Sequence, residues 1–179
     1  MKECSICRII EGKAGARIVY NDDEFMAFLH PKPASEGHIV LVSKEHFPII
    51  ENFPDNLSGK IFNLASKISS SIFESMEVQG TNIFVQNGVP AGQTVPHVMV
   101  HIIPRKENDG LQLQWQPKQI NEEEMSTVEL KIKEDIDKTP SVVESSPMAE
   151  SNKPAEVSEI KENGTKEENY LLKQLRRIP

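Results

Sequence analysis

Between Pro54 and Met76 the apolar side chains change period. Leu57, Ile61, Leu64, Ile68 and Ile72 recur at three- and four-residue steps, which places one apolar stripe along a helix. Asp55 and Asn56, near its start, are expected caps. The sequence on either side reads differently. RIVYN (17–21), EFMAFLH (24–30) and GHIVLVS (37–43) precede the helix as short strand-like runs, with the acidic NDDE as a turn; NIFVQ (82–86) and TVPHVMVHIIP (94–104) follow it. The first three can pair as a meander. One helix among five short strands predicts an α+β class: an antiparallel five-stranded sheet with one main helix, then helical C-terminal extensions.

The fifth run carries the most chemistry. Val98, Val100 and Ile102 alternate with His97, Met99 and His101, so one face is expected to be core and the other a polar site. In the preceding loop, Gly88 and Gly92 allow a tight turn and close approach to a ligand, while Gln86, Asn87, Gln93 and Thr94 offer neutral donors. With the two imidazoles this suits a phosphate ester held without a metal. A plain loop leading into a strand with two satisfied histidines fits the same periodicity.

The chain has two cysteines, Cys4 and Cys7, and five histidines. The C-x-x-C spacing points to a metal or a redox pair before a structural disulfide. His46 and His97 could complete four ligands of the kind that tetrahedral zinc prefers. Two ordinary thiols would have the same spacing.

Net charge is −7, shared between the halves: residues 1–117 hold 10 basic and 13 acidic groups, residues 118–179 hold 10 and 14. No basic face is declared, which argues against a nucleic-acid partner. No run has the length of a signal peptide or a membrane span, so a soluble, cytoplasmic protein is expected. Beyond about Trp115 the composition shifts. A cap at Asn121 with Glu124 three residues on begins an expected helix with Met125, Val128, Ile132 and Ile136 as its apolar positions. Residues 140–165 are Ser-, Glu-, Lys- and Pro-rich and read as a disordered acidic linker. Residues 166–179 read as an amphipathic terminal helix, with Leu171, Leu175 and Ile178 on one side, that docks on the body or recruits a protein partner. The resulting division is 1–110, 111–139, 140–165 and 166–179.

The segment G-Q-T-V-P-H-V-M-V-H-I-I-P-R (92–105) resembles the signature of the histidine triad (HIT) family of nucleotide hydrolases and transferases, G-Q-x-V-x-H-x-H-x-H, at every position except the middle histidine. The likeness continues upstream in CSICRIIEGKAGARIVYNDDEFMAFL, PASEGHIVLVSKEHF and GTNIFVQNG, and covers roughly residues 4–110. It implies a nucleotide pocket, with a purine nucleotide or nucleotide conjugate as ligand, and a homodimer. It further implies a structural zinc of the prokaryotic type on Cys4, Cys7, His46 and His97. His38 corresponds to the histidine beside the active site, Gln86 and Gln93 to polar residues near the phosphates, Thr94 to a phosphate-contacting hydroxyl, and His101 to the last triad histidine. His30 stands where relatives commonly carry Asp or Asn for the ribose hydroxyls. Trp115 is a candidate for the C-terminal residues that approach the partner's active site; a local core anchor is its other reading.

The family's chemistry begins when the middle histidine attacks the α-phosphorus. Met99 occupies that position, and a thioether cannot form a nucleotidyl-histidine intermediate. Three readings follow. The chain is a nucleotide-binding module with covalent catalysis lost or weakened; or a residual phosphoramidate or dinucleoside polyphosphate hydrolase using direct water attack, with His101 or His38 as acid or base; or a soft-metal protein using Cys4, Cys7, His97, Met99 and His101. Met99 as filler in an apolar patch is the plain alternative.

Overall fold

The computed structural model describes residues 4–138. The expected linker over 140–165 and terminal helix over 166–179 lie outside the described residues. The described residues fall into two units, one up to Gln114 and one from Trp115 onward.

The first unit is a five-stranded antiparallel sheet with one long helix. A short helix α1 (Ser5–Ile10) is followed by β1 (Ile18–Asn21), β2 (Phe25–Leu29) and β3 (Ile39–Ser43), then α2 (Asp55–Met76), β4 (Gly80–Val85) and β5 (Met99–Arg105). The sheet order is β1-β2-β3-β5-β4, so the meander β1–β3 forms as expected and β5 inserts between β3 and β4. In the β1–β2 turn, Asp22 Oδ1 accepts from the backbone N–H groups of Glu24 (2.8 Å) and Phe25 (2.6 Å), an Asx arrangement that frees the chain to reverse.

α2 buries Leu57, Ile61, Ala65, Ile68 and Ile72 against Phe25, Ala27, Ile39, Leu41, Val98, Val100 and Ile102. Each large aliphatic side chain so covered contributes roughly 1.5–3 kcal/mol. Leu64 is only partly buried at the margin of this core. The cap differs from expectation. Pro54 is the N-cap and has no side-chain cap bond, because Asp55 and Asn56 already lie in the first helical turn; there Asp55 faces the positive end of the helix dipole.

The opposite face of the sheet is not simply polar. Met26, Phe28, Val40, Val42 and Met99 form a second apolar cluster with Ile6 of α1, flanked by Ile9 and Ile10. β2, β3 and β5 are therefore buried on both faces for most of their length. The fifth strand also starts later than its sequence pattern predicts. Pro96 has no N–H for a ladder, and Val98 N–H bonds instead to Phe47 O at 2.7 Å, so His97 sits on a bend just before β5.

The second unit contains α3 (Glu122–Lys138), capped as predicted: Glu124 N–H donates to Asn121 Oδ1 at 2.9 Å. Its apolar positions Met125, Val128, Ile132 and Ile136 are all more than half exposed. Trp115 is 84% exposed, so the structure gives no support to its reading as a local core anchor. Among the described residues no helix is long and apolar enough to cross a membrane.

Candidate functional site

Two constellations of titratable side chains lie along the second face of the sheet. The first gathers at the N-terminal end of β5. Cys4 and Cys7 come from the start of α1, His46 from the segment after β3, and His97 from the bend before β5; the ligand atoms of all four lie within 4.8 Å of one another. Cys4 Sγ is 3.7 Å and Cys7 Sγ 3.8 Å from His97 Nδ1, and Cys7 Sγ is 3.2 Å from His46 Nδ1. A tetrahedral ion at zinc–sulfur and zinc–nitrogen bond lengths requires sulfur–nitrogen separations of about 3.6 Å. The two distances to His97 lie close to that value, and the Cys7–His46 distance is shorter.

The tautomer matches as well. His97 is fully buried, and its Nε2 lies 3.0 Å from the carbonyl oxygen of Ser43 at the end of β3. A carbonyl only accepts, so Nε2 carries the proton and Nδ1 presents its lone pair to the thiols. Burial, ahead of the neighbouring His46, holds the His97 pKa down to about 4 and keeps the ring in the neutral form that a metal needs. Burial and then the adjacent Cys4 push the Cys7 thiol up to about 11. Without a cation Cys7 stays protonated near pH 7; a bound cation reverses that preference. These four residues could hold a metal ion.

The second constellation is a cluster of three imidazoles farther along the same face. β2, β3 and β5 run side by side with Phe28 opposite Val40 and Val40 opposite His101, and His30 and His38 lie just beyond the paired ends of β2 and β3. The His30 and His38 rings stack with centroids 4.6 Å apart and planes 4° apart; His101 lies 5.3 Å from His38 and 6.0 Å from His30. Phe84, opposite His101 on β4, stacks on it at 5.4 Å.

The backbone sets the proton positions in this cluster. The Ala34 N–H donates to His38 Nδ1 at 3.1 Å, so His38 carries its proton on Nε2 and donates to His101 Nδ1 at 3.1 Å. His101 must then hold its own proton on Nε2. That atom is buried and has no hydrogen-bond partner among the described residues. A buried, unpaired donor costs about 1–3 kcal/mol, an arrangement that is recovered when an acceptor binds. Burial is the largest cause that lowers both His38 and His101 to about 4; His30 is the next. Both rings are neutral near pH 7.

Other residues expected at the site fall into distinct places. Gln93 braces the loop: its Oε1 accepts from Gly88 N–H at 2.8 Å, and its Nε2 donates to Pro48 O at 2.7 Å and Val95 O at 3.0 Å. Both amide hydrogens are engaged within the protein. Gln86 packs against Gly92, where a Cβ would lie 2.5 Å from Gln86 Nε2 and where φ is +91°. Thr94 is exposed in the loop. Met99 is 8% exposed within the second apolar cluster, on the same face as His101. Sequence reasoning missed α1, too short for a helical period to register, and missed the Ser43 carbonyl and Ala34 N–H, which no side-chain pattern reports.

A cleft of about 620 Å³ adjoins the imidazole cluster, with Ile9, Arg17, Phe28, His30 and His38 among its walls.

The HIT domain family matches residues 11–108. Adenylylsulfatase HINT3 of Arabidopsis thaliana is 35% identical over 109 residues, covering 61% of this chain and 55% of that protein, so the chain spans about half of that relative's length. The asymmetrical bis(5′-nucleosyl)-tetraphosphatase of Schizosaccharomyces pombe is 35% identical over 95 residues, 53% of this chain and 52% of that one. Among solved structures, a HIT family member from Bacillus subtilis superimposes with a TM-score of 0.70 at 31% identity, over 74% of this chain and 96% of its own. A zinc-bound histidine triad family protein from Mycobacterium smegmatis does so at 0.60 and 26%, over 76% and 97%.

Proposed function

Because this chain belongs to the HIT domain family, we propose that it binds a purine nucleotide or nucleotide conjugate at the imidazole cluster, with covalent catalysis lost or weak. The observation that carries this reading is the His101 Nε2–H: a buried donor, fixed in tautomer by the Ala34–His38 relay and left without an acceptor. A phosphate oxygen is the acceptor such a group suits, since a neutral imidazole donor binds it without a metal. The relatives named for adenylyl sulfate and bis(5′-nucleosyl) tetraphosphate hydrolysis support a nucleotide ligand.

Met99 stands at the position the resemblance gives to the nucleophile. Its cluster mates, Ile6, Met26, Phe28, Val40 and Val42, are all apolar, and the one ionisable side chain packed against them, Cys4, belongs to the group of four that could hold a metal. His38 and His101, held near 4 by burial, are weak bases at neutral pH, which speaks against efficient direct attack by water. The metal at Cys4, Cys7, His46 and His97 is read as a structural zinc: four protein ligands close its shell, and it clips α1 to the ends of β3 and β5. The protein is read as a homodimer.

Calorimetric titration with AMP or GMP tests the nucleotide reading. Weak binding is expected, reduced about tenfold by His101→Ala, a loss of roughly 1.4 kcal/mol. No heat from either nucleotide at millimolar concentration would remove this reading.

A further inference from the structure

The cleft beside the imidazole cluster has an unusual balance of polar groups. Ile9 and Phe28 give it apolar walls, and Arg17 and His30 also line it, but among the described residues no carboxylate does. The proton on His30 is placed by the backbone. Lys32 N–H donates to His30 Nδ1 at 3.0 Å, so the neutral ring carries its proton on Nε2, and its remaining polar atom is a donor. Stacking face to face on His38 fixes the plane of the ring. Arg17 is exposed, and its guanidinium makes no hydrogen bond or ion pair among the described residues.

Thus, among the described residues, the cleft offers a guanidinium and an imidazole N–H and no carboxylate in its lining. A free ribose diol needs an acceptor for its hydroxyl hydrogens, and neither group is one. An anionic oxygen uses both. The second anion locus is near: His101, with its unpaired Nε2–H, lies one ring away from the cleft wall, 5.3 Å from His38 and 6.0 Å from His30 between centroids.

From this we infer that the cleft selects nucleotides with a second phosphate on the ribose, nucleoside 2′,5′- or 3′,5′-bisphosphates, with Arg17 and His30 as the groups that recognise the added phosphate. The inference rests on the nucleotide reading above and narrows its substrate class. The apolar walls take the base, His101 takes the 5′ phosphate, and Arg17 with His30 takes the other.

Calorimetry on the full chain with AMP, adenosine 2′,5′-bisphosphate and adenosine 3′,5′-bisphosphate distinguishes the possibilities. One bisphosphate is expected to bind about tenfold or more tighter than AMP, the ratio falling as salt is raised. Arg17→Ala, on an exposed side chain, should bring the bisphosphate-to-AMP ratio close to one. His30→Asp should reverse it, because a carboxylate repels the second phosphate and accepts from a free diol. Thermal melts of both variants check that they are folded. Equal affinity for AMP and both bisphosphates, or a ratio that survives Arg17→Ala and His30→Asp in folded protein, would overturn the inference while leaving nucleotide binding intact. Absence of binding by all three compounds would overturn both.

Discussion

His38 donates from Nε2 to Nδ1 of His101 across 3.1 Å, one buried imidazole to another. Since the Ala34 N–H occupies the far nitrogen of His38, the pair has one neutral arrangement, and it ends in the free Nε2–H of His101. Protonating either ring breaks that order, because each would then direct a hydrogen at a donor.

This gives a pH dependence with a definite sign. Burial, and after it the neighbouring imidazoles, lower both pKa values from 6.5 to about 4. The unfolded chain therefore takes up protons first on acidification. The stability held in these rings is full above about pH 6.5, lost progressively down to about pH 4, and constant below that. Urea midpoints measured across that interval should fall with acid, and the His38→Gln, His101→Gln double variant should flatten the decline. An unchanged slope in that variant would place the titration elsewhere.

The cluster of Cys4, Cys7, His46 and His97 predicts one zinc per chain by elemental analysis of untagged protein. Cys7→Ser should lose the metal and lower the melting temperature by about 5 °C or more, since the binding energy of a structural ion is folding energy. A variant that keeps both metal and melting temperature would speak against a structural centre.

Met99→His tests the lost nucleophile. It places an imidazole two residues from His101 on the same face of β5. The sequence suggests a mild exchange of similar side chains, but Met99 packs among Ile6, Phe28, Val40 and Val42, so an unpartnered ring nitrogen there should cost about 1–3 kcal/mol. Hydrolysis of adenosine phosphoramidate should appear together with a nucleotidyl adduct trapped by acid quench and seen by mass spectrometry. Rapid turnover by the parent, with an adduct on another residue, would sink the account.

Ile61→Ala probes the other face of the sheet. Ile61 is 2% exposed between α2 and the strands, so truncation should cost about 2–5 kcal/mol in chemical denaturation. AMP affinity should be retained in the folded fraction, because the imidazole cluster lies across the sheet. A large loss of affinity at constant foldedness would mean that the two faces are coupled.

Local patterns in the chain were enough for much of this. The 3.6-residue stripe from Leu57 to Ile72 specifies α2, and short apolar runs between turn residues specify the strands, because these patterns act over a few residues. The motif around His97 and His101 was likewise readable, as was the Asn121 cap. Tertiary structure alone decided that β5 enters between β3 and β4, that α1 makes the second face apolar around Met99, and that Gln93 braces its own loop. It also decided the protons. Ser43, Ala34 and Lys32 set the tautomers of His97, His38 and His30 through backbone groups, and every residue carries such groups, so only their placement in space distinguishes these three from any others.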